Sequence, residues 1–216
     1  MAQRVSEWVR GQEWRRTGSW LLATALVALV GFYALRALLA DSQAPVRLII
    51  YAFSTQEGMF TDGMLPAFEQ DWEAETGRAL EIESVFGASG TLAGQINLGA
   101  PADVALLSTA EHVDWLRVGR RVRADTRPSI VGCTPMVIVT RPGNPWNIAD
   151  FSSLGQDGPQ LIHSDPRTSG AGQWSILAVY GSALLETGDA AAARARLGAA
   201  WDNVRLLAPS ARAAMT

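Results

Sequence analysis

The sequence predicts an α/β fold in two lobes with mainly parallel sheets. Short apolar runs rich in β-branched residues alternate with amphipathic segments of helical period, and glycine or serine marks most of the boundaries between them. Strands that alternate with helices indicate a parallel sheet, because each crossover helix packs back onto the sheet that it leaves. Charged residues are 18% of the 216 residues and hydrophobic residues are 48%, so we expect a packed core and no extensive disorder.

The N-terminus predicts an export signal or a membrane anchor. Residues 17–35 carry no formal charge, and residues 1–16 carry four Arg against two Glu. This asymmetry predicts a cytoplasmic basic segment at 1–16, a signal sequence or transmembrane helix at 17–40 and a linker at 41–46, with the rest of the chain outside the cytoplasm. Cleavage near 42–44 and an uncleaved inner-membrane tether both remain open, and the length of the apolar stretch favours the tether.

The first lobe is predicted at residues 47–134 as three strands that are each followed by a helix. The strands are expected at Arg47 to Phe53, Leu80 to Val85 and Asp103 to Leu107, and the helices on the apolar positions of Met64 to Trp72, Leu92 to Ile96 and Val113 to Leu116. A stretch with five Arg between residues 117 and 127 then predicts a solvated loop.

The second lobe is predicted at residues 135–216 and as incomplete. Strands are expected at Pro135 to Thr140, Leu161 to Ser164 and Val204 to Leu207, with one helix ending at Gly188 and another beginning at Asp189. Ser210 to Ala213 is typical of the first turn of a further helix. Strands without partners would expose apolar edges, so we expect this chain to be part of a longer protein.

Composition excludes several kinds of chemistry. All eighteen basic residues are Arg, which excludes lysine-dependent phosphate loops and Schiff bases. The single Cys133 and the widely separated His112 and His163 predict neither a metal site nor a cofactor. The net charge of -3 argues against nucleic-acid binding, which needs clustered cations.

Four turns at predicted helix starts are the candidate ligand-binding elements. Helix starts direct unpaired N–H groups and a partial positive charge outward, so they attract anions. Turns of this kind gather at the carboxyl edges of parallel strands, and we expect all four to meet in one cleft. The candidate residues are Ser54, Thr55, Ser89, Gly90, Ser169, Gly170, Ala171 and Ala213.

A different hypothesis is a secreted α/β hydrolase or transferase that uses Ser89 or Ser169. It requires a base within hydrogen-bond reach of either hydroxyl. Neither histidine stands at a motif spacing from a serine; we expect His112 on the exposed face of its helix and His163 to be packed. We therefore predict no catalytic residue. A non-binding, membrane-anchored fragment is a further alternative.

Five segments of the chain together resemble the sulfate-binding proteins of bacterial ABC importers. They are Phe68–Gly77, Val85–Gly99, Thr140–Pro145, Asp165–Trp174 and Ser210–Ala213, and the resemblance covers nearly all of residues 46–216. It implies a class II periplasmic binding protein that holds dehydrated sulfate or thiosulfate in an interdomain cleft and delivers it to a membrane permease. It also implies that Ser89 and Ser169 donate hydroxyl hydrogen bonds, and that Gly170, Ala171 and Ala213 donate backbone ones.

The predicted function is accordingly that of a monomeric periplasmic receptor for an oxoanion. Sulfate and thiosulfate rank first, and molybdate and phosphate rank lower. A fully ionised oxoanion offers only acceptors and suits a site of N–H and O–H donors, whereas a protonated phosphate also needs an acceptor. Asp165 would supply that acceptor if its carboxylate pointed into the cleft.

Overall fold

The computed structural model describes residues 24–36, 44–123 and 125–216. Residues 24–36 form helix α1, whose side chains are exposed. The rest of the predicted anchor, all of the basic segment and residues 41–43 of the linker lie outside the described residues. Among the described helices, none combines the length and the apolar composition that crossing a membrane requires.

The chain divides into two compact units, and the elements that carry the candidate site fall in the second. The first unit comprises residues 1–46, as far as they are described, with residues 72–80. In it, the Val46 N–H donates to the Ala79 carbonyl at 2.8 Å. The second unit comprises residues 47–71 and 81–216. The predicted lobes at 47–134 and 135–216 stay a prediction.

The first sheet has the strand order β2-β1-β3. Its strands are β1 (Val46–Phe53), β2 (Leu80–Gly87) and β3 (Val104–Leu106). The β1 and β3 strands are parallel, with Ile50 opposite Val104 and Ala52 opposite Leu106. Burial of Ile50, Tyr51 and Ala52 explains why an uninterrupted apolar run forms β1, since a strand covered on both faces needs no polar alternation.

Two of the helices that follow these strands pack against β1 in the buried core. A continuous helical run leaves β1 through a 3₁₀ turn (Ser54–Gln56), α2 (Glu57–Met59) and a π turn (Phe60–Met64) and ends as α3 (Leu65–Thr76). The other helices of this part are α4 (Ser89–Asn97) and α5 (Ala110–Val118). The buried core joins Tyr51 of β1 to Leu92, Ala93 and Ile96 of α4 and to Leu116 of α5. The α4 positions recur at helical spacing, so one face of α4 supplies most of this core.

The second sheet consists of two parallel strands, β4 (Leu161–Ser164) and β5 (Val204–Ala208). Between them run α6 (Gly170–Thr187) and α7 (Ala190–Asp202), and a 3₁₀ turn (Ser152–Gly155) precedes β4. Ser169 caps α6 and Asp189 caps α7, each by accepting a backbone N–H from the first turn. The predicted α/β class with parallel sheets is confirmed.

The strand predicted at Pro135 to Thr140 is wrong. Residues 129–140 have no strand partner among the described residues, and Val137 and Val139 are 66% and 73% exposed. The β-branched pattern of this segment favours an extended backbone, but a strand also requires a neighbour with which to exchange hydrogen bonds.

The end of α6 provides a test of the fold. Gly188 closes the helix in the left-handed region, with φ 67°, and its N–H donates to the Leu184 carbonyl at 2.8 Å. Because a Cβ atom is disfavoured in this conformation, we expect Gly188→Ala to lower the free energy of unfolding by about 1 to 2 kcal/mol in denaturant titrations.

Gly181 is the matched control, because it lies within the same helix and has open space where a Cβ atom would be. Gly181→Ala should raise stability by about 0.5 to 1 kcal/mol. Equal effects of the two substitutions would contradict the left-handed cap.

Candidate functional site

Two of the four candidate turns touch each other through their backbones. The Gly90 N–H, in the first turn of α4, donates to the Thr168 carbonyl just before α6 at 2.8 Å. A Cβ atom at Gly90 would lie 2.8 Å from that carbonyl oxygen. A Cβ atom at Gly170 would overlap the Ser108 side chain. Both glycines are therefore needed for this close approach.

Ser108 joins the same two turns through its backbone. Its N–H donates to the Ser89 Oγ at 3.0 Å, and its carbonyl accepts the Trp174 Nε1–H at 3.1 Å. The sequence analysis missed this residue. The available signal was its position between β3 and α5, which is a further serine-bearing junction of strand and helix. Three such junctions therefore meet at one place.

The starts of α4 and α6 give this place its electrostatic character. The N–H groups of Gly170 and Ala171 lie in the first turn of α6, where helix geometry provides no intrahelical acceptor. The Ser169 Oγ accepts the Gly172 N–H at 3.4 Å, so its own hydroxyl proton remains available to a ligand. Partial positive charge accumulates at both helix starts and favours an anion.

The fourth candidate turn lies beside the third. The Thr168 hydroxyl donates to the Pro209 carbonyl at 3.4 Å, and the Ser210 Oγ accepts the Ala213 N–H at 3.2 Å. The Ala213 N–H, a predicted ligand donor, is thus occupied by its own turn. Arg212 Nε lies 3.2 Å from Glu57 Oε2, which connects this turn to the helical run after β1.

The first candidate turn contributes a buried and an exposed residue. Ser54 is 8% exposed and follows the last residue of β1, whereas Thr55 is exposed. The ion pair between Glu57 and Arg212 connects this part of the chain to the fourth turn. The assignment of Ser54 and Thr55 to the site stays a prediction.

The expectation that His112 is exposed is wrong. Its side chain is 0% exposed, and Nδ1 lies 2.9 Å from the Ser89 Oγ. His112 and Leu116 stand four residues apart on α5, so they share the face that packs into the core. That spacing was the signal that could have placed the histidine inside.

Burial lowers the pKa of His112 by penalising the charged imidazolium, while Glu111 raises it by a smaller effect. The ring is therefore neutral at neutral pH. Its Nε2 is buried, and among the described residues it has no hydrogen-bond partner. The ring also meets Trp115 edge-on, with centroids 4.6 Å apart.

The contact between Ser89 and His112 lacks, among the described residues, the carboxylate that would complete a catalytic triad. Ser89 is 1% exposed, and no carboxylate of the described residues bonds the His112 Nε2. Hydrolytic triads depend on such a group to orient the imidazole. His163 also bonds a serine, Ser175, at 2.6 Å, but its Nδ1 contacts the Ser164 carbonyl of its own strand at 2.6 Å. It is a packed residue, as expected, and burial lowers its pKa.

Charges near the turns are paired with one another. Asp165 accepts hydrogen bonds from the Arg167 N–H at 2.9 Å, from Nε at 3.0 Å and from Nη2 at 2.6 Å. These bonds, led by those of the Arg167 side chain, lower the pKa of Asp165 to about 2. The carboxylate is thus engaged by its neighbour.

Two apolar cavities share Pro166 and Ile176 in their linings. Their volumes are about 410 and 340 Å³. The larger is lined also by Thr109, Trp174 and Leu177. Neither lining includes any of the eight predicted site residues.

The chain is similar to known bacterial binding proteins. Residues 60–216 match a family model described as bacterial extracellular solute-binding protein. The thiosulfate-binding protein of Pseudomonas aeruginosa is 32% identical over 157 residues, a match that covers 70% of this chain and 47% of that protein. The sulfate-binding protein of Escherichia coli is 32% identical over 154 residues, covering 68% of this chain and 46% of that protein.

A solved structure shows the same fold. The sulfate-binding protein SubI from Mycobacterium tuberculosis superposes with a TM-score of 0.66 at 25% identity, covering 79% of this chain and 60% of that one. The chain spans about half the length of the curated relatives that it matches.

The ion pair of Asp165 predicts a measurable titration. We expect Arg167→Ala to raise the pKa of Asp165 from about 2 towards its ordinary value of 3.8, followed by carboxyl NMR chemical shifts against pH. The lowered pKa means that the stabilisation is present above pH 4 and is lost as the pH falls towards 2.

Asp150 is the internal control. Its pKa is also lowered to about 2, but by Ser152 and Ser153. It should keep that value in the Arg167→Ala protein. An unchanged titration of Asp165 would contradict the pairing.

Proposed function

Since this chain belongs to the bacterial extracellular solute-binding protein family, we propose that it binds sulfate or thiosulfate for an ABC importer. The observation that carries the proposal is the contact of two helix starts, at Ser89–Gly90 and Thr168–Gly170. The names of the relatives support the choice of ligand. A binding role suits this family, and the pair of Ser89 and His112 then serves the binding of a ligand and not its hydrolysis.

The chemistry of the donors supports a fully ionised anion. Backbone N–H groups and serine hydroxyls can surround an oxoanion without supplying an acceptor. Hydrogen bonds to a charged group contribute about 1.5 to 3 kcal/mol each, so about five or more are needed against the cost of desolvating the anion. In the proposed site Ser89 and Ser169 donate through hydroxyls, and Gly90, Gly170 and Ala171 through backbone N–H groups.

Ligand entry requires the turns to separate slightly. The Gly90 N–H now donates to Thr168, and the Ala213 N–H to Ser210. In the proposed mechanism, an oxoanion replaces these internal acceptors and receives donors from both sheets at once. Closure around the ligand then follows from the donors that each side contributes.

The engagement of Asp165 supports sulfate over phosphate. A protonated phosphate needs an acceptor, and the Asp165 carboxylate already receives hydrogen bonds from Arg167. Phosphate would have to compete with that pair, whereas sulfate would not. Molybdate remains a comparison ligand for the titration.

The proposal extends to location and partners. We infer that the protein works in the periplasm as a monomer and delivers its ligand to membrane permease subunits. The apolar residues 17–35 and the basic residues before them support export, either through cleavage or with a retained tether to the inner membrane.

Calorimetric titration of the full chain with sulfate, thiosulfate, molybdate and phosphate tests the proposed ligand. We expect heat with sulfate or thiosulfate and weaker binding of phosphate. Ser169→Ala should weaken sulfate binding by about 1 to 3 kcal/mol, because it removes one hydroxyl donor.

Ser175→Ala is the control on the same helix, since Ser175 bonds His163 and the Gly172 carbonyl. It should leave sulfate affinity unchanged. Absence of heat with all four anions would refute the proposed function.

Cell fractionation tests the proposed location. In a Gram-negative host we expect the chain to accumulate outside the cytoplasm, and replacing Arg15 and Arg16 with Glu should reduce export because it reverses the flanking charge. Recovery in the membrane fraction after a carbonate wash would support the tether, and a soluble periplasmic protein would support cleavage. Retention of the unchanged chain in the cytoplasm would contradict both.

A further inference from the structure

We propose that His112 is a positioning residue that directs the Ser89 hydroxyl proton towards the bound oxoanion. The inference rests on the proposed function, because it assumes that Ser89 donates to the ligand. It assigns a role to a buried histidine that neither the core nor the binding turns explain alone.

The observation that supports this inference is that two groups lie within hydrogen-bond distance of the Ser89 oxygen. The Ser108 N–H donates to Oγ at 3.0 Å, and His112 Nδ1 lies 2.9 Å from the same atom. A hydroxyl has one proton and two lone pairs. If Nδ1 carries the hydrogen, His112 and Ser108 occupy both lone pairs, and the proton of Ser89 must point away from them. In that direction the hydroxyl can donate its hydrogen bond to the bound oxoanion.

The other tautomer would prevent Ser89 from donating a hydrogen bond to the anion. If Nδ1 is bare, the Ser89 hydroxyl donates to it, and the oxygen then presents a lone pair where the anion needs a proton. In that tautomer Nε2 also carries a hydrogen, although Nε2 is buried without a partner among the described residues. Buried N–H groups without an acceptor are rarer than buried acceptors without a donor. An anion therefore selects the Nδ1–H tautomer.

The His112 Nε2 lies beside Gly90 and has no hydrogen-bond partner among the described residues. A Cβ atom at Gly90 would lie 2.9 Å from Nε2 and 2.8 Å from the Thr168 carbonyl oxygen, so both atoms face this glycine. The carbonyl already accepts the Gly90 N–H. Because burial lowers the pKa of His112, the ring stays neutral and its single hydrogen decides which nitrogen donates.

A double-mutant cycle distinguishes positioning of the Ser89 hydroxyl by His112 from a purely structural role of His112. We expect His112→Leu and Ser89→Ala each to weaken sulfate binding of the full chain about ten-fold in calorimetry. The double variant should bind like Ser89→Ala, because His112 acts only through that hydroxyl. Losses that multiply, or unchanged affinity in His112→Leu, would overturn the inference.

A conservative substitution separates positioning from packing. The side-chain amide of Asn can place an N–H close to the Nδ1 position, so His112→Asn should retain affinity within about three-fold. His163→Asn is the matched control, since His163 also bonds a serine hydroxyl but on α6. It should not change affinity. If His112→Leu does not fold, the Asn variant still decides the question, and binding as weak as in Ser89→Ala overturns the proposal.

The tautomer itself is observable. Nitrogen-15 NMR of the imidazoles in the sulfate-loaded protein should show hydrogen on Nδ1 of His112. Hydrogen on Nε2 with sulfate bound would refute the inference while leaving the proposed function intact. Failure of the unsubstituted chain to bind sulfate or thiosulfate would instead refute the proposed function, and this inference with it.

Discussion

The hydrogen bond from the Gly90 N–H to the Thr168 carbonyl is the constraint on which the candidate site depends. It brings the first turn of α4 to the residue before α6, and it requires that position 90 carry no side chain. Two helix starts that follow strands of two different sheets thereby lie side by side. A helix start alone is a weak anion site, and in the proposed site the two starts together donate to one ligand.

In the proposed site, backbone N–H groups and hydroxyls take the place of a cation. The arginines near the turns are engaged with carboxylates, Arg167 with Asp165 and Arg212 with Glu57. A fixed guanidinium would bind any anion strongly, whereas polarised N–H and O–H groups favour a ligand that offers hydrogen-bond acceptors in every direction. We expect selectivity of the proposed site between oxoanions to depend on their state of protonation. Such selectivity would come from the arrangement of the hydrogen-bond donors and not from the net charge of the site.

Ser108 and His112 show how the core and the site are coupled. Ser108 donates to Ser89 and accepts from Trp174, so one residue holds the starts of α4 and α6. His112 lies in the core beside Leu116 and reaches the Ser89 hydroxyl from there. A polar group at this depth is costly unless it is hydrogen-bonded, which favours a defined position for its partner. Packing of α5 against the core therefore places the His112 ring beside a hydroxyl of the proposed site.

The sequence by itself determined the class of fold and most of the elements. Buried runs such as β1, the caps at Ser169, Gly188 and Asp189, and the helical spacing on α4 are local signals, because each depends on neighbours within one or two turns. It also identified the serine and glycine turns as anion-binding candidates. Only the tertiary structure decided that Pro135 to Thr140 forms no strand, that His112 is buried against Ser89, and that Ser108 joins two turns. Each of these depends on a partner distant in the sequence, and neither periodicity nor composition specifies which distant backbone or side chain will be that partner.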